Sequence, residues 1–228
     1  VTTDADDLAP WLSDWRGRYH GAAAAMLSPA STQQVAATVK LAAELGMPLV
    51  PQGGNPSMVG GATPPADGSA LILSLRRMNE IRSLSPEDNL AVCEAGVILS
   101  VLHDAAEAAG RRFPLSLGAK GSATIGGLVS TNAGGTQVLR HGTMRAQVLG
   151  LEAVLADGSV FDSLTPLKKD NRGFDLKQML IGSEGTLGIV TAATLRLLPD
   201  IADRRVVWVG LENLTQARAL LRHCEAAA

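Results

Sequence analysis

Aromatic residues are scarce: the 228-residue chain holds three Trp, three Phe and one Tyr. Nucleic acids are gripped through a cationic field and by stacking on aromatic rings. A net charge of −2 offers no such field, so no nucleic acid is expected as a partner. Long apolar runs are missing too. Nothing approaches the ~20 apolar residues that cross a bilayer, and no transmembrane segment is expected. The two cysteines, Cys93 and Cys224, are far apart and form no Cys-x-x-Cys pair, which argues against a disulfide framework or a thiolate metal site. That usage leads us to expect a reducing, cytoplasmic compartment. Asp4, Asp6, Asp7 and Asp14 argue against a signal peptide in the first twenty residues, although a targeting signal upstream of Val1 would not be visible. His-Glu-x-x-His, Gly-x-Ser-x-Gly and Cys/His clusters are absent. No metal site is expected, and the catalytic residues stay unassigned.

What is present is an ordinary globular composition, 46% hydrophobic and 18% charged. A chain of this length buries roughly 70% of its unfolded surface and makes about one and a half domains. Ser31 to Gly46 reads as a helix: Ser31 and Gln34 form a capping box, Val35, Val39 and Ala42 share a face, and Gly46 stops it. Apolar runs at Met47–Val50 and Leu71–Leu75 then predict strands paired in parallel in a small βαβ unit. Further strands are expected at Leu90–Val97 and Gly188–Leu198, with a helix over Leu99–Ala109 closed by Gly110. Val148–Leu155 and Val160–Phe161 flank Asp157-Gly158, a hairpin signal that predicts antiparallel sheet. A short helix is expected near Asp175–Leu180. Past the Pro199-Asp200 boundary, Arg205–Leu211 reads as a strand and Thr215 as the cap of a last helix through Cys224.

Three glycine-rich runs carry the chemistry. The first, Pro51-Gln52-Gly53-Gly54-Asn55-Pro56-Ser57-Met58-Val59-Gly60-Gly61, follows a strand; its backbone amides could turn toward an anionic phosphate without Lys or Arg. On its own it is equally a flexible surface turn, and neither common nucleotide fingerprint occurs in the chain. The second spans Pro114 to Gly127 and continues through Ser130-Thr131-Asn132-Ala133-Gly134-Gly135. Its glycines and hydroxyl residues suit a segment laid along an elongated polar ligand. The third, Gly182-Ser183-Glu184-Gly185-Thr186-Leu187-Gly188-Ile189-Val190-Thr191, turns into a strand; Glu184 could be an ordinary solvated charge.

The order of these runs, with Asp14-Trp15-Arg16-Gly17-Arg18-Tyr19 before them and Leu167-Lys168-Lys169-Asp170-Asn171 between the last two, resembles the vanillyl-alcohol-oxidase-type, or p-cresol-methylhydroxylase-type, FAD-binding domain. Within it, the chain is most similar to the branch of D-2-hydroxyglutarate dehydrogenase, D-lactate dehydrogenase and the glycolate oxidase flavin subunit. The likeness runs to about Pro199 and implies an α+β fold of two subdomains, one small and parallel, one mainly antiparallel with helices, with FAD extended between them. Residues 1–80 and 81–199 would form the two, and residues 204–228 would open a substrate domain.

The resemblance also assigns contacts, all to non-covalent FAD. Gln52, Gly53, Gly54, Asn55, Pro56, Ser57 and Met58 would wrap the pyrophosphate through backbone amides, and Gly60 would also touch the cofactor. Pro114, Leu117, Gly118, Ser122, Thr124, Ile125, Gly126, Gly127, Thr131, Asn132, Ala133, Gly134 and Gly135 would line the pyrophosphate, ribityl and flavin portions, and Gly142 would also touch the cofactor. Glu184, Gly185, Gly188, Ile189 and Val190 would approach the adenosine end. Two departures stand out: Pro56-Ser57 replaces the Thr-Gly frequent in relatives, removing an amide donor, and His141 stands where Tyr is common. His141 could face the flavin, but a lone His is more often packed or solvated, and His103 reads as an exposed helix position. The implied reaction is oxidation of a D-2-hydroxy acid to the 2-oxo acid, with electrons passed to a quinone, cytochrome or electron-transfer flavoprotein. The alternatives are another flavin oxidase of alcohols or sugars, or a non-catalytic FAD-binding module.

Overall fold

The computed structural model describes every residue except Lys168, Arg172 and Ala228; Lys168, part of the 167–171 motif, therefore lies outside the described residues. In chain order the helices are α1 Ala5–Leu8, α2 Thr32–Glu44, α3 Leu99–Ala108, α4 Ile125–Ser130, α5 Val138–His141, α6 Met144–Gln147, α7 Lys177–Leu180 and α8 Leu214–Ala227. The strands are β1 Met26–Leu27, β2 Leu49–Gln52, β3 Leu71–Ser74, β4 Ile81–Ser85, β5 Leu90–Glu94, β6 Arg111–Arg112, β7 Val148–Leu155, β8 Val160–Ser163, β9 Gly188–Arg196 and β10 Leu198–Pro199.

Helix α2 begins where a β-region Ser31 accepts the Gln34 amide at 3.2 Å. Gln34 reaches back one residue further than the expected box, accepting from the Ala30 amide at 2.8 Å. Gly46 closes the helix at φ +64, in the left-handed region that costs glycine least. Strands β1, β3 and β2 form a parallel sheet in that order, with Leu49 opposite Leu71 and Met26 opposite Ile72. The parallel pairing is as expected; β1, at two residues, is too short to leave a periodic signal.

The larger sheet is antiparallel, in the order β4-β5-β9-β7-β8. The β7–β8 hairpin turns at Asp157-Gly158, where Gly158 has φ +77 and the Asp157 carboxylate accepts the Ser159 amide at 2.8 Å. Central β9 is buried from Gly188 through Leu195, as a strand covered on both faces must be. Leu99, Leu102, Ile125, Leu151 and Leu195 centre the main core. A second cluster joins the two sheets: Val35 and Val39 of α2 and Leu73 of β3 pack with Val154 of β7 and Ile189 of β9.

A polar clasp crosses the same junction. Buried Glu152 of β7 accepts from Thr32 Oγ1 at 2.7 Å, Thr191 Oγ1 at 2.8 Å and Arg82 Nη2 at 3.2 Å. Burial by itself would raise this carboxyl, but the hydrogen bonds from Thr32, Thr191 and Arg82 outweigh it and hold Glu152 below its ordinary value.

Three expectations are corrected. Thr215 does not cap the last helix: α8 already begins at Leu214, and the Asn213 Oδ1 accepts the Gln216 amide at 3.0 Å. Arg205–Leu211 forms no strand, and Val206, Val207 and Trp208 are exposed; among the described residues no strand lies alongside to receive its backbone hydrogen bonds. His103 is half-buried rather than exposed, its Nε2 2.9 Å from the Leu115 carbonyl oxygen and its ring beside Phe113.

Candidate functional site

The three glycine runs meet around one cavity of about 1000 Å3, at the large end of small-molecule sites. The first run leaves the C-terminal end of β2, the second enters α4, and the third enters β9. The loops are laced to one another. Gly54 lies so close to the second run that a Cβ there would sit 1.6 Å from the Ser122 carbonyl oxygen, and one on Gly53 would sit 2.2 Å from Thr124 Oγ1. The Glu184 amide donates to the Ser130 carbonyl at 2.9 Å, and Gly185, at φ +82, leaves no more than 3.2 Å between a built Cβ and Pro51. Buried Gln52 ties the first run inward, its Nε2 donating to the Trp11 and Ala62 carbonyls at 3.0 and 2.8 Å.

Ahead of these loops sits a second built turn. Asp14 is 4% exposed, and its carboxylate accepts the amides of Arg18 at 2.7 Å, Tyr19 at 2.8 Å and Arg16 at 3.3 Å. These bonds, the Tyr19 amide foremost, hold the carboxyl below its ordinary value. The turn docks on the first run through Trp15, whose amide donates to the Ser57 carbonyl at 3.1 Å, and through Asn55, at φ 55, whose Nδ2 donates to the Ser13 carbonyl at 2.8 Å.

Among the described residues lining the cavity, Glu184 carries the only charge. An anionic group would be met here by backbone amides and hydroxyls, not by cations. Thr124 is suited to such a contact. It is 3% exposed, caps α4 without using its side chain, and its Oγ1 is buried with no partner, an arrangement that costs free energy unless a ligand answers it. An elongated cofactor bearing a phosphate fits these features.

Most of the expected contact residues line this cavity: Gln52 through Met58, Leu117, Gly118, Ser122, Thr124, Gly126, Gly127, Thr131, Ala133, Glu184, Gly185, Ile189 and Val190. Others lie elsewhere. Ile125 and Pro114 are buried in the interior, and Gly60 backs onto the Tyr19 ring. Asn132 turns its Oδ1 to the Arg145 amide at 3.0 Å. Gly135 abuts the Ser116 backbone, and Gly142 ends α5 at φ +79. Gly188 borders a smaller neighbouring pocket, and Gly134 is exposed. The cavity also includes Trp15, Leu75, Ala95 and Leu128. The three apolar residues read as plain core, so nothing in the sequence marks them; Trp15 was visible only as part of a motif.

His141 is half-buried and does not line the cavity. Burial and the field of Arg112, Arg140 and Arg196 hold its imidazole below the ordinary value. Lys120 is exposed and also off the cavity wall. No helix among the described residues is long and apolar enough to cross a membrane.

Comparison with known proteins places these features. The family described as "FAD binding domain" matches residues 23–163. The mitochondrial D-2-hydroxyglutarate dehydrogenase of Bos taurus is 45% identical over 99% of this chain and 41% of its own length. That of Arabidopsis thaliana is 41% identical over 97% of this chain and 39% of its own. The D-2-hydroxyglutarate–pyruvate transhydrogenase of Saccharomyces cerevisiae is 38% identical over 94% and 43%. The chain thus spans about two fifths of these relatives' lengths. Among solved structures, an alkyldihydroxyacetonephosphate synthase superposes with a TM-score of 0.69 over 80% of this chain and 33% of its own, at 23% identity, a likeness of fold. The expected cytoplasmic compartment is overturned, because the Bos taurus, Rattus norvegicus and Arabidopsis thaliana relatives are named mitochondrial. Cysteine usage reports redox poise, which does not distinguish one reducing compartment from another.

Proposed function

Because the chain belongs to the FAD-binding domain family, we propose that it is the FAD-holding part of a dehydrogenase that oxidises a D-2-hydroxy acid, of the 2-hydroxyglutarate, lactate or glycolate type, to the 2-oxo acid. The observation that carries the reading is the cavity between the three glycine runs, with glycine at the two closest approaches and an unanswered Thr124 hydroxyl in its wall. Residues 1–80 and 81–199 would act as the two halves of the holder and residues 204–228 as the start of a further unit.

FAD, when bound, supplies the two-electron acceptor. This chain's residues bind and orient it: the 53–58 backbone and Thr124 would meet the pyrophosphate, the 117–133 segment the ribityl and ring portions, and the 184–190 segment the adenosine. Pro56 cannot donate an amide, so the phosphate grip rests on the neighbouring amides and Thr124. Oxidation of a hydroxy acid also needs a base for the hydroxyl proton and cations for the carboxylate. The described residues lining the cavity bring no cation, and their one charged side chain, Glu184, lies in the segment given to the adenosine, so these groups are assigned to other parts of the protein. Electrons would leave to a quinone, a cytochrome or an electron-transfer flavoprotein; the yeast relative's name gives pyruvate as the acceptor of that protein.

The test is spectroscopic. The purified chain, mixed with FAD and desalted, should keep a flavin spectrum and release all of it on acid precipitation. Flavin left on the precipitate would contradict non-covalent binding, and a colourless chain would contradict the cofactor itself. Anaerobic bleaching of the flavin in a protein of the relatives' length by D-2-hydroxyglutarate, D-lactate or glycolate would identify the substrate type.

A further inference from the structure

We infer that Trp15 is the stacking platform for the adenine ring of the cofactor, an inference that rests on the FAD reading above. Trp15 is the only aromatic among the described residues lining the cavity. It is 71% exposed, so its indole contributes little to packing within the chain. The backbone beneath it is nevertheless built: three amides on the Asp14 carboxylate, a Gly17 amide on the Asp14 carbonyl at 3.0 Å, and the Trp15 amide on Ser57. A turn fixed at this many points, presenting a bare indole to a large cavity, is what a planar ligand group requires. Base–aromatic stacking is strong and needs no particular hydrogen-bond pattern.

The other tryptophans do not compete for the role. Trp11 already carries the Arg76 guanidinium 4.3 Å from its ring centroid, and Trp208, 98% exposed, lies off the cavity wall. Position selects adenine over the flavin ring. The same turn places the Tyr19 ring against Gly60, and a Cβ on the next residue, Gly61, would lie 3.6 Å from Glu184 Oε2. The turn that carries the indole thus adjoins, through Gly60 and Gly61, the segment from Glu184, which the reading above gives to adenosine.

The experiment is calorimetric titration of the chain with FAD, with ADP as a ligand bearing adenine but no flavin, and with FMN as one bearing flavin but no adenine. Trp15→Leu should weaken FAD and ADP about 5- to 150-fold, the range that loss of one stack gives, and leave FMN within twofold. Trp15→Phe should restore most of the loss. Unchanged FAD affinity in Trp15→Leu would overturn the inference, as would an equal loss for FMN, which would move the indole to the flavin ring. Failure of the unsubstituted chain to bind FAD would overturn the cofactor reading and the stacking with it.

Discussion

At the scale of single residues, the glycines of the first run matter for what they leave out. Gly54 is not held at positive φ; its requirement is contact, because a Cβ would lie 1.6 Å from a backbone oxygen that cannot swing aside. Gly54→Val should therefore push the first and second runs apart and weaken FAD binding at least tenfold, whereas Lys120→Ala, at an exposed position off the wall, should change it less than twofold. Titration of both variants checks the ordering, and the reverse order would mean that side-chain charge holds the cofactor. The sequence displayed the glycine density but not its cause, since dihedral freedom and close approach call for the same residue. Cysteine behaves in the opposite way, distinguished only by its surroundings. Cys93 is buried on β5, its thiol pushed up to about 12 by desolvation, and Cys224 is exposed on α8. A thiol reagent at neutral pH should modify one cysteine quickly and the second only on unfolding; two fast thiols in the native chain would contradict the burial of β5.

At the scale of elements, the Glu152 clasp holds α2, β4 and β9 to β7, with partners 120, 70 and 39 residues away. Such separations explain why no local pattern announced it. Glu152→Ala would leave Arg82 and the two threonines short of an acceptor, and a loss of about 2 kcal/mol is expected from removing hydrogen bonds to a charged group; urea unfolding of the two proteins measures it. The sign of the pH effect follows. A carboxyl held below its ordinary 4.5 stabilises the fold above that pH, and the contribution is lost as pH falls through the lowered folded value. Glu152→Gln should therefore flatten the acid limb of stability against pH, and an unchanged limb would show that other carboxylates set it. Strands with strong alternation or a marked turn, such as β7 and β8, were legible because their signal is local. Helix α4 was not, because its Gly126-Gly127 pair is a poor helix former; burial of Ile125, Leu128 and Val129 overrides that propensity. The apolar run at Arg205–Leu211 misled in the other direction, since a strand exists only where a neighbour takes its hydrogen bonds.

At the scale of the whole molecule, the cavity lies between two sheets joined by an apolar cluster and a polar clasp, so a ligand spanning the three runs acts as a further tie. A ligand that binds only the folded state stabilises it by about 2.7 kcal/mol at a hundredfold excess over its Kd. For a chain of this size each kcal/mol raises the melting temperature by roughly 2–4 °C, which gives an expected rise of about 5–11 °C with FAD. The same cofactor should slow amide exchange most in the segments laced around the cavity, namely 53–61, 117–131 and 184–190. It should slow exchange least in 204–213, where the backbone is exposed and forms no sheet. Differential scanning and hydrogen exchange on one preparation therefore make a paired test. A melting rise with protection confined to the loops is the expected result. A rise with protection centred on α8 would relocate the ligand to the exposed C-terminal helix, and no rise in a large excess of FAD would mean that the folded chain does not bind it in preference to the unfolded one.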